Sequence, residues 1–148
     1  MKNAFSTFLA ARFATALMLM ASPLAHAQWT EIHTFEDGMR VYVDSASAHR
    51  NGDTGQLKHL VRWAEPQSDE GVPPYRSTLV HTEYDCAGKR EKYLGSVSYS
   101  GPMADGPKVL ADDNAAETWY SISDGSMEEK LWKTACKIKY GRPLRSAR

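Results

Sequence analysis

At 148 residues the chain is long enough for one domain and too short for several. Eighteen Lys and Arg balance 18 Asp and Glu, so the formal charge is zero, yet residues 28–129 hold 9 basic against 18 acidic groups while residues 130–148 hold 7 basic groups and no acid. The two cysteines form no CxxC pair, which argues against a zinc-finger or dithiol redox chemistry.

Residues 1–27 read as a signal peptide. Lys2 and Arg12 are basic, residues 13–20 form an apolar run broken only by Thr15, Ser22-Pro23 interrupts it, and Ala25-His26-Ala27 is a small-x-small cleavage site. The apolar run is too short to remain as a bilayer anchor, so no membrane span is expected after cleavage. No cysteine follows the cleavage site. The chain is therefore expected to be exported to the periplasm or the outer cell surface without a lipid anchor. The mature part would be 121 residues, a size at which a domain gains from a covalent staple. Two cysteines in an exported chain predict a disulfide, Cys86 to Cys136.

Residues 29–35 are rich in β-branched and aromatic groups and predict a strand, followed by the turn signal Asp37-Gly38. Residues 39–44 alternate, with Met39, Val41 and Val43 on one face, and predict the second strand. Residues 45–56 contain Asn51-Gly52 and Thr54-Gly55 and read as a loop. A third strand is predicted over 57–64. A polar loop bounded by Pro66 and Pro73-Pro74 leads to the fourth, over 76–86. Ala87-Gly88 reverses the chain into the fifth strand, over 89–99. Residues 101–107 are a loop, 108–111 a short edge strand, and 117–122 a last strand.

The period then changes. Ser126 and Glu129 have capping-box spacing, and Met127, Leu131, Ala135 and Ile138 share one helical face with Trp132 and Cys136 beside it. A helix this short does not survive alone in water, so it must pack on the sheet, with the disulfide fastening its last turn there. The predicted fold is α+β: an antiparallel sheet of about six strands with one C-terminal helix tethered by a disulfide. Both faces of the third and fourth strands carry apolar groups and one helix covers one face, so either the sheet curls on itself or a partner covers the other face, and a homodimer is the favoured expectation.

These landmarks resemble the surface-adhesin protein E-like domain family of Gram-negative bacteria. They are Trp29, Val41-Tyr42-Val43-Asp44 with Ser47, Tyr75-x-Ser77, Tyr84-Asp85-Cys86 with Arg90, Tyr99-Ser100-Gly101, Trp119 with Ile122, Gly125-Ser126, Leu131 and Ala135-Cys136. With the signal peptide (1–27) and a basic, mobile tail marked by Gly141 and Pro143 (139–148) read from the residues, the resemblance makes residues 28–138 a protein E-like domain; the chain departs from the family in lacking a lipoprotein cysteine and in carrying the basic tail. The resemblance implies the same sheet-and-tethered-helix fold, a tendency to dimerise, and binding of host matrix proteins.

No catalytic set emerges. There is no GxSxG, HxH or HExxH, and the acidic residues Asp105, Asp112, Asp113 and Glu117 lack the order of a calcium loop. No enzyme activity and no cofactor are expected. If the turn between the third and fourth strands centres near residue 70, His59 faces His81 across the sheet and the pair is a candidate metal site. Lys139, Arg142, Arg145 and Arg148 are candidates for binding an anionic polysaccharide. Two functions follow: an exported binding domain acting as a surface adhesin for host matrix or cell-surface ligands, or a periplasmic accessory or structural protein with no host contact.

Overall fold

A computed structural model of the protein describes residues 28–137. Residues 1–27, expected to form a signal peptide, and residues 138–148, which include the expected basic tail, lie outside the described residues. Within them are eight strands in one antiparallel sheet and one α-helix: β1 Thr30–Thr34, β2 Arg40–Val43, β3 His49–Asn51, β4 Thr54–Gln67, β5 Tyr75–Asp85, β6 Arg90–Tyr99, β7 Lys108–Asp112, β8 Tyr120–Ser121 and α1 Met127–Ala135. The sheet runs β1-β2-β4-β5-β6-β7, with β3 on β4 and β8 on β6. Most neighbours are consecutive in the chain, as short connections dictate.

The α+β prediction holds, with three differences in detail. Residues 45–56 are not a plain loop. Ser45–Ser47 form one 3₁₀ turn capped by the Asp44 carboxylate, and β3 pairs with the start of β4 through a two-residue turn, Gly52-Asp53. Gly52 takes φ +59°, a left-handed conformation that suits glycine. The strand β3 is three polar, exposed residues, which carry no hydrophobic alternation to find.

The strand β4 extends past Pro66 to Gln67. The pairing shifts between Arg62–Ser77 and Gln67–Tyr75, and the proline sits in that irregular stretch, where no ladder hydrogen bond is asked of it. The predicted strand over 117–122 contracts to the two residues of β8.

Register assigns the two faces. Val43 pairs with His59, Val41 with Val61, Leu57 with Thr82 and Gly55 with Tyr84, and this set faces the helix. Leu131, Trp132, Ala135 and Cys136 of the helix bury against Val43, Ala48, Leu57, Tyr84 and Ile122. Each large side chain removed from water there contributes roughly 1.5–3 kcal/mol. The strand passes very close under the helix end: a Cβ at Gly55 would stand 2.8 Å from the Ala135 carbonyl oxygen.

On the opposite face Tyr42 and Leu60 are buried, while Leu79, Leu94 and Val97 are partly exposed.

Candidate functional site

The helix is held over the sheet by several unlike bonds. Its start is capped: the Ser126 hydroxyl accepts from the Glu129 N–H at 3.1 Å. The Glu129 carboxylate reaches back one residue further than a capping box, accepting from the Gly125 N–H at 2.9 Å. Lys89, in the β5–β6 turn, donates to Glu129 at 2.8 Å, pairs with Asp124, and lies 5.7 Å from the Trp132 ring centre. The Lys89 hydrogen bond, with the Gly125 amide behind it, holds the Glu129 carboxyl well below the ordinary carboxylate range.

The Trp132 indole N–H donates to the Asp85 carbonyl at 3.0 Å. At the other end Arg50 donates to the Cys136 carbonyl at 2.8 Å, which satisfies a terminal helix acceptor. Lys130 donates to the Ile32 carbonyl of β1 at 2.9 Å. The Cys86–Cys136 disulfide, Cα–Cα 5.6 Å, closes the frame. Tyr84-Asp85-Cys86 and Ala135-Cys136 are therefore one structural unit, a turn and a helix end bonded together.

This frame leaves a cleft of about 200 Å³ between the first half of α1 and the sheet. His59 of β4, Val80 and Thr82 of β5, and Glu91 and Tyr93 of β6 form its floor; Met127, Glu128 and Leu131 form the helix wall; Tyr120 of β8 stands at the rim, 61% exposed. His59 is 7% exposed and its Nδ1 has no hydrogen-bond partner among the described residues. Burial lowers its pKa to about 4, against a weaker opposing pull from Glu128, so the imidazole is neutral at pH 7.

Burial also raises the pKa of Glu91, and the like charge of Glu128 adds to that. Among the described residues no Lys or Arg lines the cleft.

A second cleft of about 170 Å³ opens on the other face, lined by Lys58, Leu79, His81, Leu94, Gly95, Ser96, Val97 and Asp113. Burial lowers the His81 pKa, and the neighbouring Lys58 charge acts in the same direction.

The predicted facing of His59 and His81 is corrected by one residue of register. His81 pairs with Lys58, and His59 pairs with Val80. Because side chains alternate, this slip puts the two imidazoles on opposite faces of the sheet. No cluster of three or more His, Cys, Asp or Glu with metal-holding geometry occurs among the described residues. Lys139, Arg142, Arg145 and Arg148 lie outside the described residues. Asp112 is an anchor within its own segment, accepting from the Asn114 N–H at 2.9 Å and from the Tyr93 hydroxyl at 3.0 Å.

Sequence reasoning did not single out Glu91, Tyr93, Tyr120 or Glu128. They come from three separate elements, and Glu91 sits in the charged run Lys89-Arg90-Glu91-Lys92, which has the composition of a solvated strand end. The one available signal was the period of two that places Glu91 and Tyr93 on the same face of a strand.

A sequence model of the family described as surface-adhesin protein E matches residues 29–137. Among solved structures, the chain is similar to Haemophilus influenzae protein E in crystal form II, with 15% identity, a TM-score of 0.56, and coverage of 66% of this chain and 80% of that one. It is similar also to protein E from non-typeable Haemophilus influenzae, with 14% identity, a TM-score of 0.56, and coverage of 78% and 81%. At such identities the likeness is one of fold. No curated protein matches the sequence. The match across nearly all of the described residues, on a sheet whose C-terminal helix is pinned by Cys86–Cys136, establishes that this chain belongs to the surface-adhesin protein E family.

Proposed function

We propose that the protein is an exported, non-enzymatic binding domain that acts at the outer cell surface as an adhesin for host matrix or cell-surface ligands. The family match over residues 29–137 carries this reading. The disulfide supports export, since such bonds form and persist in oxidising compartments. No helix among the described residues is long and apolar enough to cross a membrane.

The test is protease shaving of intact cells, with detection of this chain beside a periplasmic control. Digestion without opening the outer membrane is the expected result. Protection until the membrane is opened would refute surface action and leave a periplasmic accessory role.

Two finer parts of the proposal have their own measurements. Lys139, Arg142, Arg145 and Arg148 would bind an anionic polysaccharide by charge, so truncation after Tyr140 should abolish salt-sensitive retention on heparin. The partly exposed Leu79, Leu94 and Val97 support a homodimer packed on the face away from α1. Sedimentation velocity should return a species of twice the chain mass, and a monomer at micromolar concentration would refute the dimer.

A further inference from the structure

The cleft beside α1 has a chemistry the proposed function does not use. It combines a buried imidazole whose Nδ1 has no partner, two carboxylates from separate elements, and walls of Val80, Tyr93, Tyr120, Met127 and Leu131. A polar atom left unpaired inside a protein is costly, so a partner that satisfies His59 recovers that cost.

Charge decides the sign of the partner. The helix start brings roughly half a positive charge, and that alone would favour an anion. Two carboxylates outweigh it. Glu129, the other acid of the first turn, is already engaged by Lys89 and the Gly125 amide. Glu128 and Glu91 are the acids that line the cleft, and among the described residues no basic side chain lines it to neutralise them. An anionic ligand would add to their repulsion.

Donor number narrows the class further. An ammonium group carries three N–H donors and no acceptor. The cleft offers two carboxylates and the neutral imidazole, which makes three acceptors for three donors. Aromatic faces at Tyr93 and Tyr120 add the attraction of a cation for a ring. The volume of about 200 Å³ accommodates an ammonium on a short alkyl stem. The rim residue Tyr120, 61% exposed, leaves the entrance open to solvent.

We propose that this cleft binds a primary alkylammonium group, with Glu91, Glu128 and His59 taking its three protons in hydrogen bonds and Tyr93, Tyr120 and Met127 enclosing its stem. The group could belong to a free small amine or to a lysine side chain of a partner polypeptide, which share this chemistry. The site stands whichever side of the outer membrane the domain faces.

The test uses the whole mature chain, followed by amide NMR shifts and by calorimetry during titration with n-pentylammonium. Neutral n-pentanol and anionic pentanoate serve as matched controls. Saturable binding of the cation is expected, with shifts centred on β6 and the first turn of α1, and with the alcohol at least about tenfold weaker.

Glu128→Gln should weaken the cation about tenfold while leaving the alcohol unchanged. Glu91→Gln, at a second element, should do the same. A parallel titration with Nα-acetyl-lysine amide separates the two sources. Binding as tight as the free amine assigns the site to lysine side chains, and binding more than about tenfold weaker assigns it to small amines. Absence of saturation by either cation, equal affinity for pentanol, or unchanged affinity in Glu128→Gln with the fold intact would overturn the proposal.

Discussion

Replacing both cysteines, Cys86→Ala with Cys136→Ala, tests the energetic role assigned to the tether. The bond joins residues 50 positions apart, and the chain-entropy relation gives such a loop about 4 kcal/mol, exerted on the unfolded chain. Domains of this kind have only about 5–15 kcal/mol in total, so the loss is a large fraction. For a described domain of 110 residues it corresponds to a fall in Tm on the order of 15 °C. The folded variant should keep the Trp132–Asp85 and Lys89–Glu129 hydrogen bonds and the bond from Arg50 to the main-chain carbonyl at position 136, so the sheet should remain.

Urea unfolding, monitored by Trp fluorescence and extrapolated to water, measures the difference directly. The midpoint should drop, and the slope should rise because the unlinked chain exposes more surface on unfolding. A loss below about 1 kcal/mol would refute the reasoning and show that the tether acts little on the unfolded ensemble.

Acid should weaken the fold through His59. The unfolded chain protonates this imidazole below about pH 6.5. The folded chain, with a pKa lowered to about 4, does not follow until later. The His59 contribution is thus complete above pH 6.5 and is lost as pH falls towards 4, by up to about 3 kcal/mol. Glu91, whose pKa is raised, acts in the opposite direction, so the measurement is the difference between the native chain and His59→Gln across pH 7 to 4. A variant with the native pH slope would contradict it.

Gly55→Ala should cost about 1–3 kcal/mol, because the new Cβ meets the Ala135 carbonyl, a backbone atom with little room to move. An unchanged Tm would show that the helix end yields. Ser126→Ala should cost about 1 kcal/mol and Ser126→Asp much less, read by thermal unfolding.

Much of this arrangement was legible from residue types alone. The alternation in β2 and β5, the edge position of β7 and the capping Ser126 all have local causes, and each reappears in the structure. Ser77 and Gly101, two of the family landmarks, meet: the Ser77 hydroxyl donates to the Gly101 carbonyl at 2.6 Å and accepts from the Ala104 N–H at 2.9 Å. What could not be read was register. The irregular pairing between β4 and β5 moves the turn centre, and one position of slip separates His59 from His81. The cleft was hidden for a related reason. Its walls come from five elements brought together by pairing and by the helix, and no local spacing encodes that convergence.

The position of the covalent tether also fixes how the domain would carry a pulling load. A force applied between residues 28 and 137 passes from the first five strands directly across Cys86–Cys136 into Lys137, bypassing 87–135. Full extension could then draw out only residues 28–86, about 200 Å of chain, where an unlinked domain would yield nearly twice that. The segment carrying Glu91, Tyr93, Tyr120 and Glu128 would stay inside a closed ring that tension cannot straighten. A domain built this way sets a hard limit on its own lengthening.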